Sequence, residues 1–144
     1  MALAGELFEG HETSLHHVGI VSRSEAAADR LIRFTGLEER HRGFVPQYEA
    51  LCIFCGGGDA GDVELVIPSG GTLKEFNKGA GGLHHVAIAV PSLGDLQERL
   101  RKTGVELLEE EPVRGAGDFY CNFLSPVHTG GVIIEYVELD HPPA

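Results

Sequence analysis

The chain has 144 residues, and 22 acidic against 11 basic side chains leave a formal net charge of −11. That balance excludes the cationic footprint that nucleic-acid phosphates require and the basic helix of a membrane-surface protein, so neither partner is expected. A hydrophobic content of 42% is enough to bury a core, and no apolar run is long enough to span a bilayer.

Met1–Gly10 has no charged region followed by an apolar stretch, so no leader peptide is expected. Three cysteines without a leader then read as reduced thiols in a cytoplasm. The first predicted element is a strand from His17 to Val21, rich in β-branched and alternating residues. A helix follows: Ser22 and Glu25 have capping-box spacing, Ala27, Leu31 and Phe34 fall on one face, and Thr35-Gly36 stops it. Three strand-like runs come next, Leu37–Gly43, Glu49–Cys55 and Asp62–Ile67, with a turn at Gly56-Gly57-Gly58. That glycine run lacks the Lys-Ser/Thr of a phosphate loop.

After a connecting stretch at 70–82, with a short helical piece at Leu73–Phe76, the same order returns. A strand is predicted at His85–Val90. Pro91-Ser92 then opens a helix carrying Leu93, Leu96 and Leu100, which ends at Thr103-Gly104. Three strands follow at Val105–Pro112, Phe119–Leu124 and Val132–Leu139, separated by turns at Gly115-Ala116-Gly117 and Gly130-Gly131. The Pro142-Pro143 tail is expected to fray.

The recurrence is literal. Leu15-His16-His17-Val18-Gly19-Ile20-Val21 returns as Leu83-His84-His85-Val86-Ala87-Ile88-Ala89, and Thr35-Gly36-Leu37-Glu38 as Thr103-Gly104-Val105-Glu106, both at an offset of 68. Val63-Glu64-Leu65 matches Ile134-Glu135-Tyr136 at an offset of 71. The chain therefore reads as a tandem duplication. The expected fold class is α+β: two βαβββ modules in tandem. One domain at 14–138 is expected, made of modules 14–69 and 83–138 joined by 70–82.

Strand alternation places His17, Gly19 and Val21 on one face, and His85, Ala87 and Ala89 on the matching face. Small residues beside a histidine leave room for a cavity. His16 and His84 fall on the opposite, helix-facing side. The last strand of each copy carries a glutamate in an apolar run, Glu64 and Glu135, and a buried carboxylate is costly unless it is paired or bound to a cation. Two imidazoles and two carboxylates brought together around a pseudo-twofold axis make an N₂O₂ set with open positions. That set suits Zn, Ni, Co or Mn(II).

Cys52 and Cys55 have Cys-x-x-Cys spacing, but on a strand they face opposite ways and cannot grip one metal. Glu138 is expected to face away from Glu135 into solvent, and His11, His41, His128 and His141 read as surface residues.

With these residues in place, the chain resembles the vicinal oxygen chelate superfamily and, within it, the methylmalonyl-CoA epimerase family. The matching segments are Leu15–Ile20, then Val63–Pro68 with Leu73–Phe76 and Gly82–Ala87, then Asn122–Pro126 with Gly130–Glu135. The resemblance implies metal ligands at His17, Glu64, His85 and Glu135, and a catalytic glutamate at Glu49, with Glu135 serving on the other face of the substrate. It implies an epimerase that moves the α-proton of an acyl-CoA such as methylmalonyl-CoA through a metal-stabilised enolate. It also implies a homodimer, and two modules related by pseudo-twofold symmetry that form a curved mixed sheet around the metal site.

Lys74, Lys78, Arg101, Lys102 and Arg114 are the candidate cations for the acyl-CoA's phosphates. The alternatives are a glyoxalase I-like lyase or isomerase of a small 2-oxo or hemithioacetal substrate, and a non-catalytic small-molecule-binding module of the same superfamily. An extradiol dioxygenase fits less well, because it needs a three-ligand Fe(II) site on a longer chain.

Overall fold

The computed structural model describes residues 7–8, 12–56 and 62–139. His11, His141, the Pro142-Pro143 tail and the Gly57-Gly58 part of the first turn lie outside them. The chain divides into two compact units, one spanning His17–His85 and the other made of the described residues before His17 and from Val86 onward. Both show the expected α+β order.

In the first, strand β1 (Ser14–Val21) leads to helix α1 (Glu25–Thr35) and strands β2 (Glu38–Val45), β3 (Ala50–Gly56) and β4 (Val63–Pro68). The sheet order is β2-β3-β4-β1. The β2/β3 and β3/β4 pairs are antiparallel, while β1 and β4 are parallel with Gly19 opposite Glu64. The helix starts at Ser24, not Ser22: the Ser24 hydroxyl accepts the Ala27 N–H at 3.1 Å. It stops at Gly36, whose φ of 72° is left-handed backbone that a residue without a Cβ adopts freely.

Its buried stripe is Ala28 with Leu31 and Ile32, packed on Ile53, Cys55 and Leu65. Phe34, expected on that stripe, is 84% exposed. The packed stripe is set by Ala28 and not by Ala27, and Phe34, six residues on from Ala28, lies about 120° away from it at 3.6 residues per turn.

The second unit runs from strand β5 (Gly82–Ala89), which the division cuts after His85, through helix α3 (Leu93–Lys102) to strands β6 (Val113–Arg114), β7 (Phe119–Leu124) and β8 (Ile133–Leu139). A four-residue helix, α2 (Gly71–Lys74), lies in the connection before β5. Here the sheet order is β5-β8-β7-β6. Leu93, Leu96 and Leu100 are all buried as expected and pack with Leu107, Leu124 and Tyr136. Each contributes about 1.5–3 kcal/mol of apolar burial.

Two expectations fail here. Glu138 does not face solvent: its Oε1 accepts the Leu93 N–H at 2.6 Å, which caps α3 alongside Ser92. The strand expected at Val105–Pro112 does not form, and only Val113–Arg114 pairs with β7. The preceding backbone is held instead by one buried side chain. Asn122 Oδ1 accepts the Glu109 N–H at 2.9 Å, and its Nδ2 donates to the Glu109 carbonyl at 2.9 Å. The Leu108 N–H also donates to the Phe123 carbonyl at 2.8 Å. A side-chain amide that mimics a backbone pair removes the need for a ladder.

No helix among the described residues is long and apolar enough to cross a membrane.

Candidate metal centre

Parallel pairing of β1 with β4 sets the site. The Gly19–Glu64 register puts the Glu64 side chain on the same face as His17 and Gly19. On β3 the residue opposite Glu64 is Phe54, and its ring meets the edge of His17 at 5.3 Å. The opposite face of β3, with Ile53 and Cys55, packs under α1. Alternation therefore separates Cys52 from Cys55 as expected, and all three cysteines are buried with none in a disulfide.

His17, Glu64 and His85 all lie in the His17–His85 unit and are 0%, 6% and 6% exposed. Their donor atoms form a near-equilateral triangle. His17 Nε2 is 3.3 Å from His85 Nε2, and Glu64 Oε1 is 3.3 Å from the first and 3.2 Å from the second. Bonds of about 2.1 Å from a common cation to atoms this far apart subtend about 100°, between octahedral and tetrahedral angles. Two imidazole nitrogens and a carboxylate oxygen are ligands that Zn, Co, Ni and Mn accept. The residues present fit a divalent cation.

Two imidazoles and a carboxylate gathered in a dry setting make a dense polar cluster inside an apolar sheet, an arrangement that a cation would offset. Gly19 makes the cluster possible, because a Cβ there would overlap the His85 ring.

Glu135 stands on β8 in the other unit, 4% exposed and opposite Phe123 on β7. Glu49 precedes β3 and is exposed. Its backbone is left-handed at φ 50°, and it is pinned by its own N–H to Pro46 O at 3.1 Å and by the Ser69 N–H to its carbonyl at 2.8 Å. The side chain lies over Gly70 and Gly71, where a Cβ would come within 3.1 Å of the carboxylate. Register puts Ala50 opposite Pro68, at the far end of the β3/β4 hairpin from the Phe54–Glu64 pair.

His16 packs edge-on against Phe119 at 5.4 Å, and His84 packs against Phe76 at 4.8 Å. His84 Nδ1 also lies 2.8 Å from His85 Nδ1. His41 is exposed on β2, as its polar surroundings suggested, yet its ring stacks on Phe54 at 4.7 Å and 17°. The β2/β3 register pairs His41 with Phe54 directly, and that register is not legible from the alternation of either strand alone.

Among the candidate cations, Arg101 pairs with Glu106 at 3.1 Å and Arg114 with Asp118 at 3.5 Å. Lys74 and Lys78 are exposed.

Fold and cluster together define the class. The chain belongs to the glyoxalase/bleomycin resistance protein/dioxygenase superfamily, whose model matches residues 16–123. Its relatives narrow the comparison. The chain is 32% identical over 128 residues to the mitochondrial methylmalonyl-CoA epimerase of Homo sapiens, covering 84% of this chain and 71% of that protein.

Among solved structures, the methylmalonyl-CoA epimerase of Mycobacterium tuberculosis superposes with a TM-score of 0.78 at 28% identity, covering 89% of this chain and 88% of that one. A substituted form of the Streptomyces coelicolor methylmalonyl-CoA epimerase, in complex with 2-nitronate-propionyl-CoA, gives 0.76 at 25% identity and covers 90% and 98%.

Proposed function

We propose that the protein is a metal-dependent epimerase of an α-substituted acyl-CoA such as methylmalonyl-CoA. The observation that carries this reading is the buried His17–Glu64–His85 triangle, with donor atoms 3.2–3.3 Å apart. The named relatives supply the substrate class. Glu135, buried on β8 and matching Glu64 in the repeat, is the fourth ligand in this proposal.

A divalent cation bound there supplies Lewis-acid stabilisation of negative charge on the substrate's oxygens. Glu49 takes the α-proton on one face, and Glu135 stands on the other to return one. Support for Glu49 is its strained, pinned backbone, since residues held at positive φ concentrate at functional sites. It is further supported by the Gly70-Gly71 pair, which leaves its carboxylate clear. Lys74 and Lys78 offer exposed positive charge to the substrate's phosphates. Cys52, Cys55 and Cys121, none of them in a disulfide, fit a reducing, cytoplasmic setting, and a homodimer completes the proposal.

The test measures metal content and then deuterium uptake at the α-carbon of methylmalonyl-CoA. The expected result is a bound divalent ion, exchange in the wild type, and a loss of about 10²–10⁴-fold in Glu49→Gln. A metal-loaded protein that exchanges no deuterium sinks the epimerase assignment. If it isomerises a hemithioacetal instead, the glyoxalase-like alternative replaces it. Exchange that Glu49→Gln leaves unchanged removes Glu49 from the mechanism while keeping the reaction.

A further inference from the structure

We infer that His84 is a positioning residue that fixes the tautomer of His85, so that His85 Nε2 is left open for a cation. The inference rests on the metal-centre reading of the His17–Glu64–His85 cluster. Its starting point is the contact between the two imidazoles: His84 Nδ1 lies 2.8 Å from His85 Nδ1, while His85 Nε2 points into the triangle.

A neutral imidazole carries one proton on one of its two nitrogens. If Nε2 is to be a ligand, the His85 proton must sit on Nδ1. At 2.8 Å, only one of the two Nδ1 atoms can hold a proton between them. His85 Nδ1–H therefore donates, His84 Nδ1 accepts, and the proton of His84 resides on its own Nε2.

Glu64 makes this selection necessary. Its Oε1 sits 3.2 Å from His85 Nε2. A carboxylate there favours a proton on Nε2, the tautomer that closes the ligand position. The acceptor at His84 works against that preference by rewarding the Nδ1–H form. Without it, a cation must both displace the Nε2 proton and leave His85 Nδ1–H with a poorer partner.

The His84 ring is itself held. It is half-buried, and Phe76 meets it at 4.8 Å with the rings 78° apart. Phe76 belongs to the connection between the two copies, in a stretch where Asn77 and Lys78 have left-handed backbones. Asn77 Nδ2 donates to the Gly81 carbonyl at 2.7 Å and ties that stretch to the start of β5. The doubled histidine of the second copy is thus a ligand and its orienting neighbour rather than one functional residue and one bystander.

The experiment compares wild type, His84→Phe and His84→Asn, with Zn²⁺ as the probe. Phenylalanine keeps an aromatic ring against Phe76 but has no acceptor. Asparagine places an amide oxygen close to the position of the imidazole Nδ1. Zn²⁺ affinity is measured by competition with a chelator, and the His85 ring nitrogens are read by ¹⁵N NMR.

The expected result is a loss of about 10–100-fold in Zn²⁺ affinity for His84→Phe, largely recovered in His84→Asn. Zn²⁺-loaded wild type should show a His85 proton on Nδ1, with a scalar coupling to His84 Nδ1 across the hydrogen bond. Equal affinity in His84→Phe and wild type overturns the inference. So does an equal loss in both variants, which is what mere packing would give. The NMR readout uses wild type alone, so a variant that fails to fold still leaves a decisive answer: a His85 proton on Nε2, or no coupling, overturns the inference. Wild type that binds no Zn²⁺ overturns the metal-centre reading itself, whereas wild type that binds normally with an indifferent His84 overturns only the role given to that residue.

Discussion

The imidazole of His85 fills the volume where a side chain on Gly19 would begin. The matching position in the second copy, Ala87, carries a Cβ and is fully buried. The first copy has no methyl group at this position, and that leaves His85 the room to reach the triangle. Gly19→Ala should therefore displace the ring and weaken Zn²⁺ or Co²⁺ binding by about 10-fold or more, as loss of ligand orientation does. Metal titration of the folded variant measures this, and an unchanged affinity would show that the ring tolerates the methyl group.

Metal should also act on stability. An ion that binds only the folded state at 100 times its Kd adds about 2.7 kcal/mol, or about 5–10 °C in Tm for a chain of this size. Chelation should reverse the gain. In Glu64→Ala, which loses one corner of the triangle, the Tm shift should disappear. A full shift in that variant would place the ion elsewhere.

The site was legible in the sequence to the extent that it depends on alternation and repetition. Parity along the first strands separates His17 from His16, and the matched glutamates mark the last strands. Cys52 and Cys55 were separable by the same rule. What alternation cannot deliver is the contact between neighbours on one strand. His84 and His85 should point opposite ways, yet their Nδ1 atoms meet at 2.8 Å, because Nδ1 lies close enough to the backbone for adjacent rings to turn toward each other. Phe34 was misplaced for a different reason: it does share a face with Ala27 and Leu31, but the helix packs the adjacent stripe centred on Ala28.

Asn122 carries the largest departure from strand expectation. It is 1% exposed, and its amide makes bonds of 2.9 Å and 2.9 Å to Glu109 and 2.8 Å to Phe123 N–H. Asn122→Ala should cost about 2–4 kcal/mol, because buried backbone groups lose partners that water cannot replace. Urea unfolding measures the loss, and hydrogen exchange should quicken at residues 108–110. A change below about 0.5 kcal/mol would mean that other partners take over.

The Cys55 thiol gives a pH prediction. Burial pushes it above its ordinary value of 9.0, with the Glu39 carboxylate adding to the effect and Arg42 opposing it. The folded thiol keeps its proton where the unfolded one releases it. Above about pH 9 the unfolded state therefore binds fewer protons, and stability falls as pH rises. Below that value the thiol contributes no slope. Denaturation across the alkaline range should show this decline, reduced in Cys55→Ala. Burial raises Tyr136 as well, so a second decline should begin above about pH 10. A flat profile between about pH 8.5 and 10 would show that the thiol ionises equally in both states.

Strand β8 carries Glu135 into the dry side of its sheet, and one pleat and a half later it extends Glu138 to the first amide of α3. A slip by a single residue would bring the first carboxylate out of its place and take from the Leu93 N–H its carboxylate acceptor. Because alternation reverses every side chain at such a slip, the two glutamates act as a lock-and-key pair on opposite sides of one strand. Their odd spacing permits one alignment of β8 and penalises the neighbouring ones twice.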